Sequence, residues 1–93
     1  MNENEFREEY EELEAAAREM KLNWLRITGV ADSIYGEYNW PSTIMLIKNC
    51  VDAAKEAIAR EEYPYQAVRQ ILLRYLLKVV EKELDKGDYD DAA

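Results

Sequence analysis

Apolar residues recur at Phe6, Tyr10, Leu13, Ala17, Met20, Trp24, Ile27, Ala31 and Ile34, in steps alternating between four and three. That spacing is the mark of a helix with one apolar seam, held here over about four heptads. It predicts a first helix over residues 3–34. A kink, or an early stop near Ile27, is expected only at Thr28-Gly29, because glycine costs about 1 kcal/mol inside a helix. The same alternation in Ile44, Ile47, Val51, Ala54 and Ile58 predicts a second helix over 42–62. Between the two, Tyr35-Gly36-Glu37-Tyr38-Asn39-Trp40-Pro41 reads as a loop with Gly36 and Pro41 as breakers. Either Ser42 caps the second helix, or Pro41 sits in its first turn behind Asn39 or Trp40. Tyr63-Pro64 forces a turn, since a residue before proline avoids the helical region. A third helix then spans about 65–86, with Gly87 suited to the left-handed position that ends it and an acidic tail over 87–93.

The pattern therefore predicts an all-α protein, a small three-helix up-down-up bundle with a long N-terminal helix. Its third helix is apolar nearly all round at Ile71, Leu72, Leu73, Tyr75, Leu76, Leu77, Val79 and Val80. One buried face needs only about three apolar residues per two turns. This helix is expected either to sit centrally or to be covered by another chain, with Leu73, Leu77 and Val80 as an oligomer seam. Length argues the same way at the other end. At 1.5 Å per residue the first helix spans about 45 Å and the others about 30 Å, so its opening turns overhang. Phe6, Tyr10 and Leu13 keep their seam in that overhang, which calls for a partner or a second copy. The alternative is that the tip frays and the aromatics fold back.

Charge refines the expectation. The 93 residues carry twenty acids and twelve bases, a net charge of −8. Residues 1–20 hold eight glutamates and two arginines, and residues 81–93 hold six acids and two lysines. The stretch between nets +2, so the chain ends carry the acidity. Such a balance disfavours direct nucleic-acid binding, which needs a basic patch, and points to a basic partner. On the first helix Glu5, Glu8, Glu12 and Glu19 share one side, and Glu9, Glu11 and Glu14 spread over the rest. Carboxylates three or four residues apart stand about 5–6 Å from one another, a row that can imitate backbone phosphates. The competing account is a solvated face that only keeps the chain soluble. Arg74, Lys78 and Lys82 form a basic row in the third helix, expected to pair with acids of the first helix or of a second copy.

Candidate chemistry is sparse. The chain has no histidine, which removes Ser-His-Asp and Cys-His nucleophiles, zincin motifs and di-iron Glu-x-x-His pairs together. Cys50 is the one cysteine and reads as a half-buried packing residue. Gly29, Gly36 and Gly87 are too scattered to cradle a phosphate. The run Asp85 to Asp91 lacks the glutamate that closes a calcium loop. No enzyme, cofactor or metal is expected. The polar, acidic N-terminus and the lack of an apolar run of about 20 residues lead us to expect a cytoplasmic protein without a membrane partner, in the host cytoplasm if the gene is viral.

Aromatic residues crowd the two connections, Tyr35, Tyr38 and Trp40 in the first and Tyr63 and Tyr65 in the second. They either plug the open ends of a small bundle or serve as contact residues. In size, acidity and lack of chemistry the chain resembles the small inhibitors that phages make against host defence systems, anti-CRISPR proteins among them. That likeness is one of bulk character and involves no motif. It implies a non-catalytic inhibitor or adaptor docking on a basic nucleic-acid-handling protein, with Glu5, Phe6, Glu8, Glu9, Tyr10, Glu12 and Leu13 as its contact surface and Tyr35, Tyr38 and Trp40 as secondary contacts. The other reading is a structural homo-oligomer, for which a homodimer is the first expectation.

Overall fold

The structure, a computed structural model, describes residues 2–36 and 39–91, with side chains through Asp85. The described residues form four helices: α1 Glu3–Glu19, α2 Trp24–Tyr35, α3 Trp40–Ala59 and α4 Pro64–Asp91. The all-α class stands. The long first helix does not, because the expected 3–34 element is two helices separated at Met20–Asn23.

The break has a definite chemistry. Lys21 adopts a left-handed backbone, φ 61°. The Leu22 N–H donates to the Ala17 carbonyl at 2.9 Å and the Lys21 N–H to the Arg18 carbonyl at 3.0 Å. Those two bonds are a Schellman motif, which satisfies carbonyls a helix end would otherwise leave unpaired. Asn23 then caps α2, its side chain accepting from the Arg26 N–H at 3.2 Å. Gly29, where a kink was expected, lies inside α2 and changes nothing.

The seam survives the break. Ala17, Trp24, Ile27 and Ala31 are all buried, as are Leu46, Ile47, Cys50, Val51 and Ala54 of α3 and Val68 of α4. The largest fully buried side chains, Leu46, Ile47 and Val51, all belong to α3. The second sequence helix is thus the central one, which removes the first of the two alternatives for the third, a central position. Its start matches the proline alternative: Trp40 opens α3, Pro41 lies in the first turn, and Asn39 is the cap residue without a side-chain bond. Its end falls at Ala59, earlier than 62, through a second Schellman turn. There the Glu62 N–H donates to the Ala57 carbonyl at 2.8 Å, with Glu61 left-handed at φ 60°. Ile58, placed on the apolar face by periodicity, is exposed, and Ala57 takes the buried position.

α4 is the element that outgrows its neighbours. Its 28 residues span about 42 Å, against about 30 Å for the 20 residues of α3. The backbone stays helical past Gly87 to Asp91, so Gly87 does not end the helix and most of the expected tail is helical. α4 packs on α3 and α2, while α1 packs on α3 and α2 and not on α4. The molecule measures 53 × 34 × 17 Å with a radius of gyration of 15.3 Å. A near-spherical chain of this length would give about 12 Å.

Candidate contact surfaces

On α1, Asn2 caps the first turn, accepting from the Glu5 N–H at 2.8 Å while its amide donates to the Glu5 carboxylate at 3.1 Å. The helix then divides its residues cleanly between two sides. Phe6, Tyr10 and Leu13 turn towards the molecule, and Glu5, Glu8, Glu9, Glu11 and Glu12 are exposed. Phe6 stacks on Trp40 with ring centroids 4.9 Å apart, and Tyr10 meets the edge of buried Trp24 at 5.0 Å. Tyr10 and Leu13 both pack against the core. The expectation that Phe6, Tyr10 and Leu13 overhang is therefore overturned. With helix 1 broken at Lys21 there is no overhang, and Trp40, at the head of α3, covers the tip.

The carboxylates of the ridge are largely unneutralised. Arg7 pairs with Glu3 at 3.2 Å and Arg18 with Glu14 at 2.7 Å, both exposed or partly exposed pairs of small energetic weight. Glu8, Glu9, Glu11, Glu12 and Glu19 have no ion-pair partner among the described residues. The expected pairing of Arg74, Lys78 and Lys82 with acids of the first helix is absent among the described residues, because α4 lies away from α1.

The aromatic corners split. Trp40 is half-buried on Phe6, and Tyr35 meets the edge of Tyr75 at 6.4 Å, so both act as internal plugs and not as free contacts. The Asn49 side-chain amide donates to the Tyr75 hydroxyl, tying α3 to α4, and the Lys78 ammonium lies 5.7 Å from the Tyr75 ring centre. Burial, and secondarily the neighbouring Tyr75, push the Tyr35 phenol up from its ordinary value. Tyr63 and Tyr65 are exposed, and Tyr38 lies outside the described residues.

A second surface lies on α2 and α4. α4 presents Val68, Ile71, Leu72 and Tyr75 to its neighbours, half-buries Val79, and turns another apolar row outward. Leu73, Leu76, Leu77, Val80 and Leu84 are exposed, Leu77 at 57% and Leu84 at 62%. On α2 Val30 lies exposed beside Leu76, and Leu25 is 76% exposed. A groove of about 300 Å³ runs between the helices, floored by Ile27, Val68 and Leu72 and edged by Arg26 and Arg69. Leu73, Leu77 and Val80 were legible as a seam in the sequence. Leu84 continues the same step and was missed, although the spacing alone points to it. Leu25 and Val30 fall off the seam and needed the structure.

Cys50 is fully buried, not half-buried, and desolvation pushes its thiol up to about 12. Among the described residues, no group of three His, Cys, Asp or Glu side chains is placed to hold a metal ion. Among them, too, no helix is long and apolar enough to cross a membrane. Comparison with protein-family models, with curated proteins and with solved structures finds no match to this chain.

Proposed function

We propose that the chain is a non-catalytic protein-interaction module, an inhibitor or adaptor that docks the outer face of α1 on a basic, nucleic-acid-handling protein. The observation that carries this reading is the division of α1. Its apolar seam is spent inward on Trp24, Trp40 and the core, so the outward side is almost wholly carboxylate. Glu5, Glu8, Glu9 and Glu12 stand on a helix clamped from behind, and a rigid anionic row loses little entropy on binding. A groove shaped for phosphates responds to that row by charge. Phe6, Tyr10 and Leu13 hold the ridge in place and do not touch the partner.

The test uses the immobilised full chain and a nuclease-treated cytoplasmic extract. Captured protein is expected to elute between about 50 mM and about 500 mM salt and to be displaced by duplex DNA, which competes for the same basic groove. The triple variant Glu8→Lys, Glu9→Lys, Glu12→Lys should lose that capture. Capture indifferent to salt, to DNA and to the triple variant would remove the reading.

A further inference from the structure

The outward row of α4 identifies its own occupant by the charges around it. Leu73, Leu77, Val80 and Leu84 follow steps of four, three and four, a short heptad seam with no covering element among the described residues. Along the helix the charges are segregated. Residues 64–80 carry Arg69, Arg74 and Lys78 and no acid, whereas residues 81–91 carry six acids and two lysines. This order is the reverse of what a lone helix favours, since the macrodipole is positive at the N-terminus and negative at the C-terminus. No acid stands in the first turn of α4 and no base in its last. Within one molecule the arrangement is unfavourable. Against an antiparallel copy of itself it becomes complementary, basic half on acidic half, with the two dipoles opposed.

We propose that α4 pairs antiparallel with α4 of a second copy about a two-fold axis between residues 77 and 80. Leu73 then faces Leu84 of the partner, and Leu77 faces Val80. Arg74, Glu81 and Asp85 are seven and eleven residues apart, so they share one flank of the seam. In an antiparallel pair, like flanks meet. Arg74 comes level with position 83 of the partner, and the partner's Glu81 and Asp85 lie two residues to either side, about 3 Å along the axis each way. Each Arg74 is thus set between two carboxylates, twice per dimer. Arg74, Glu81 and Asp85 have no ion-pair partner among the described residues. A parallel pair would bring unlike flanks together, setting Arg74 beside the partner's Arg69, and would align the dipoles, so both terms oppose it. The exposed Leu76 and Val30 border the seam and extend the contact onto α2. An isologous contact of this kind closes on itself and leaves no open edge for further growth. None of the ridge carboxylates of α1 belongs to it, so the pairing stands or falls apart from the docking reading.

Sedimentation of the full chain from about 1 µM to about 500 µM, at about 150 mM salt, reads the assembly directly. A dimer is expected. Leu77→Asp should leave a monomer of unchanged helical circular dichroism, because Leu77 lies outside the core. Arg74→Glu should weaken the dimer about tenfold or more, since four attractions per dimer become repulsions. Adding Glu81→Lys and Asp85→Lys to Arg74→Glu should restore it to within about threefold of the wild type. A wild-type chain monomeric throughout, or a dimer that survives Leu77→Asp, overturns the proposal. So does a dimer that Arg74→Glu leaves unchanged or tightens, the latter being the mark of parallel pairing beside Arg69, or a triple variant as weak as the single one.

Discussion

Cys50 sits among the fully buried side chains of α3, where nothing charged or polar offers its thiol a partner that would favour ionisation. The sequence made it a packing residue, because neither histidine nor a second cysteine accompanies it, and its degree of burial was beyond reach without the neighbours. Ionisation of the thiol is disfavoured in the folded chain by desolvation, so its pKa rises from an ordinary 9.0 to about 12. The sign of the consequence follows. Below pH 9 the thiol is neutral in both states and its contribution is constant. Above it the unfolded chain releases the proton while the folded chain keeps it, so stability falls as pH rises from 9 towards 12. Tyr35, also raised, adds a loss of the same sign at the alkaline end. At pH 10.5 the thiol accounts for about 2 kcal/mol, at 1.36 kcal/mol per unit. Urea midpoints at pH 8.5 and 10.5, compared between the wild type and Cys50→Ala, isolate that part, since the variant lacks it and shares every other titration. Equal alkaline losses in the two chains would contradict the burial of the thiol.

At the level of elements, what periodicity conveyed was which residues face inward, and what it missed was where the backbone stops. Ala17, Trp24, Ile27 and Ala31 were placed on one seam and all are buried. The same seam ran through Met20–Asn23 without a flaw, so the end of α1 left no trace in the apolar pattern. Helix ends are read from glycine at the left-handed position, and here that position is held by Lys21, and at the end of α3 by Glu61. The glycine that did draw notice, Gly29, meets open space within α2, where a helix tolerates it at modest cost. Asn23 was the available signal: a capping residue followed by the Trp24 that restarts the seam. A side chain in the left-handed region costs about 1 kcal/mol. Lys21→Gly, which also gives the unfolded chain more freedom, should therefore raise stability by about 0.5 kcal/mol. Thermal or urea unfolding would check this, and Lys21→Pro provides the contrast, since its fixed φ cannot enter the turn and should cost several times as much. A lower stability for Lys21→Gly would mean that the lysine side chain supports the turn in some way the backbone geometry does not show.

For the whole molecule, the question raised by length survived while its subject changed. A helix longer than its bundle-mates does exist, and it is α4, because the helix that the first seam appeared to make the longest is interrupted at Lys21 and its tip is covered by Trp40. Sequence alone showed too many apolar residues in the third helix. Spacing singled out Leu73, Leu77 and Val80 as one row, but which residues turn inward depends on α3 taking the centre. The molecule is left with an anionic ridge and an apolar seam, and the two surfaces respond to salt with opposite signs. Docking of α1 on a basic partner is an attraction between opposite charges and weakens as ions screen it. Pairing through α4 brings together two chains of net charge −8, so the long-range term is repulsive and screening relieves it. The apolar contact itself gains slightly in salt, and the Arg74 pairs, set at short range, lose only part of their weight. The dimer dissociation constant should accordingly hold steady or tighten between about 50 mM and about 500 mM salt. Over the same interval the docking affinity should fall by an order of magnitude or more. The melting temperature provides a second readout, because a paired chain gains stability with concentration and a monomer does not. Measured at about 5 µM and about 500 µM in both salts, it should rise with concentration in each, and at least as much in high salt. A dimer that came apart in high salt would place the ion pairs, and not the leucine seam, at the centre of the association.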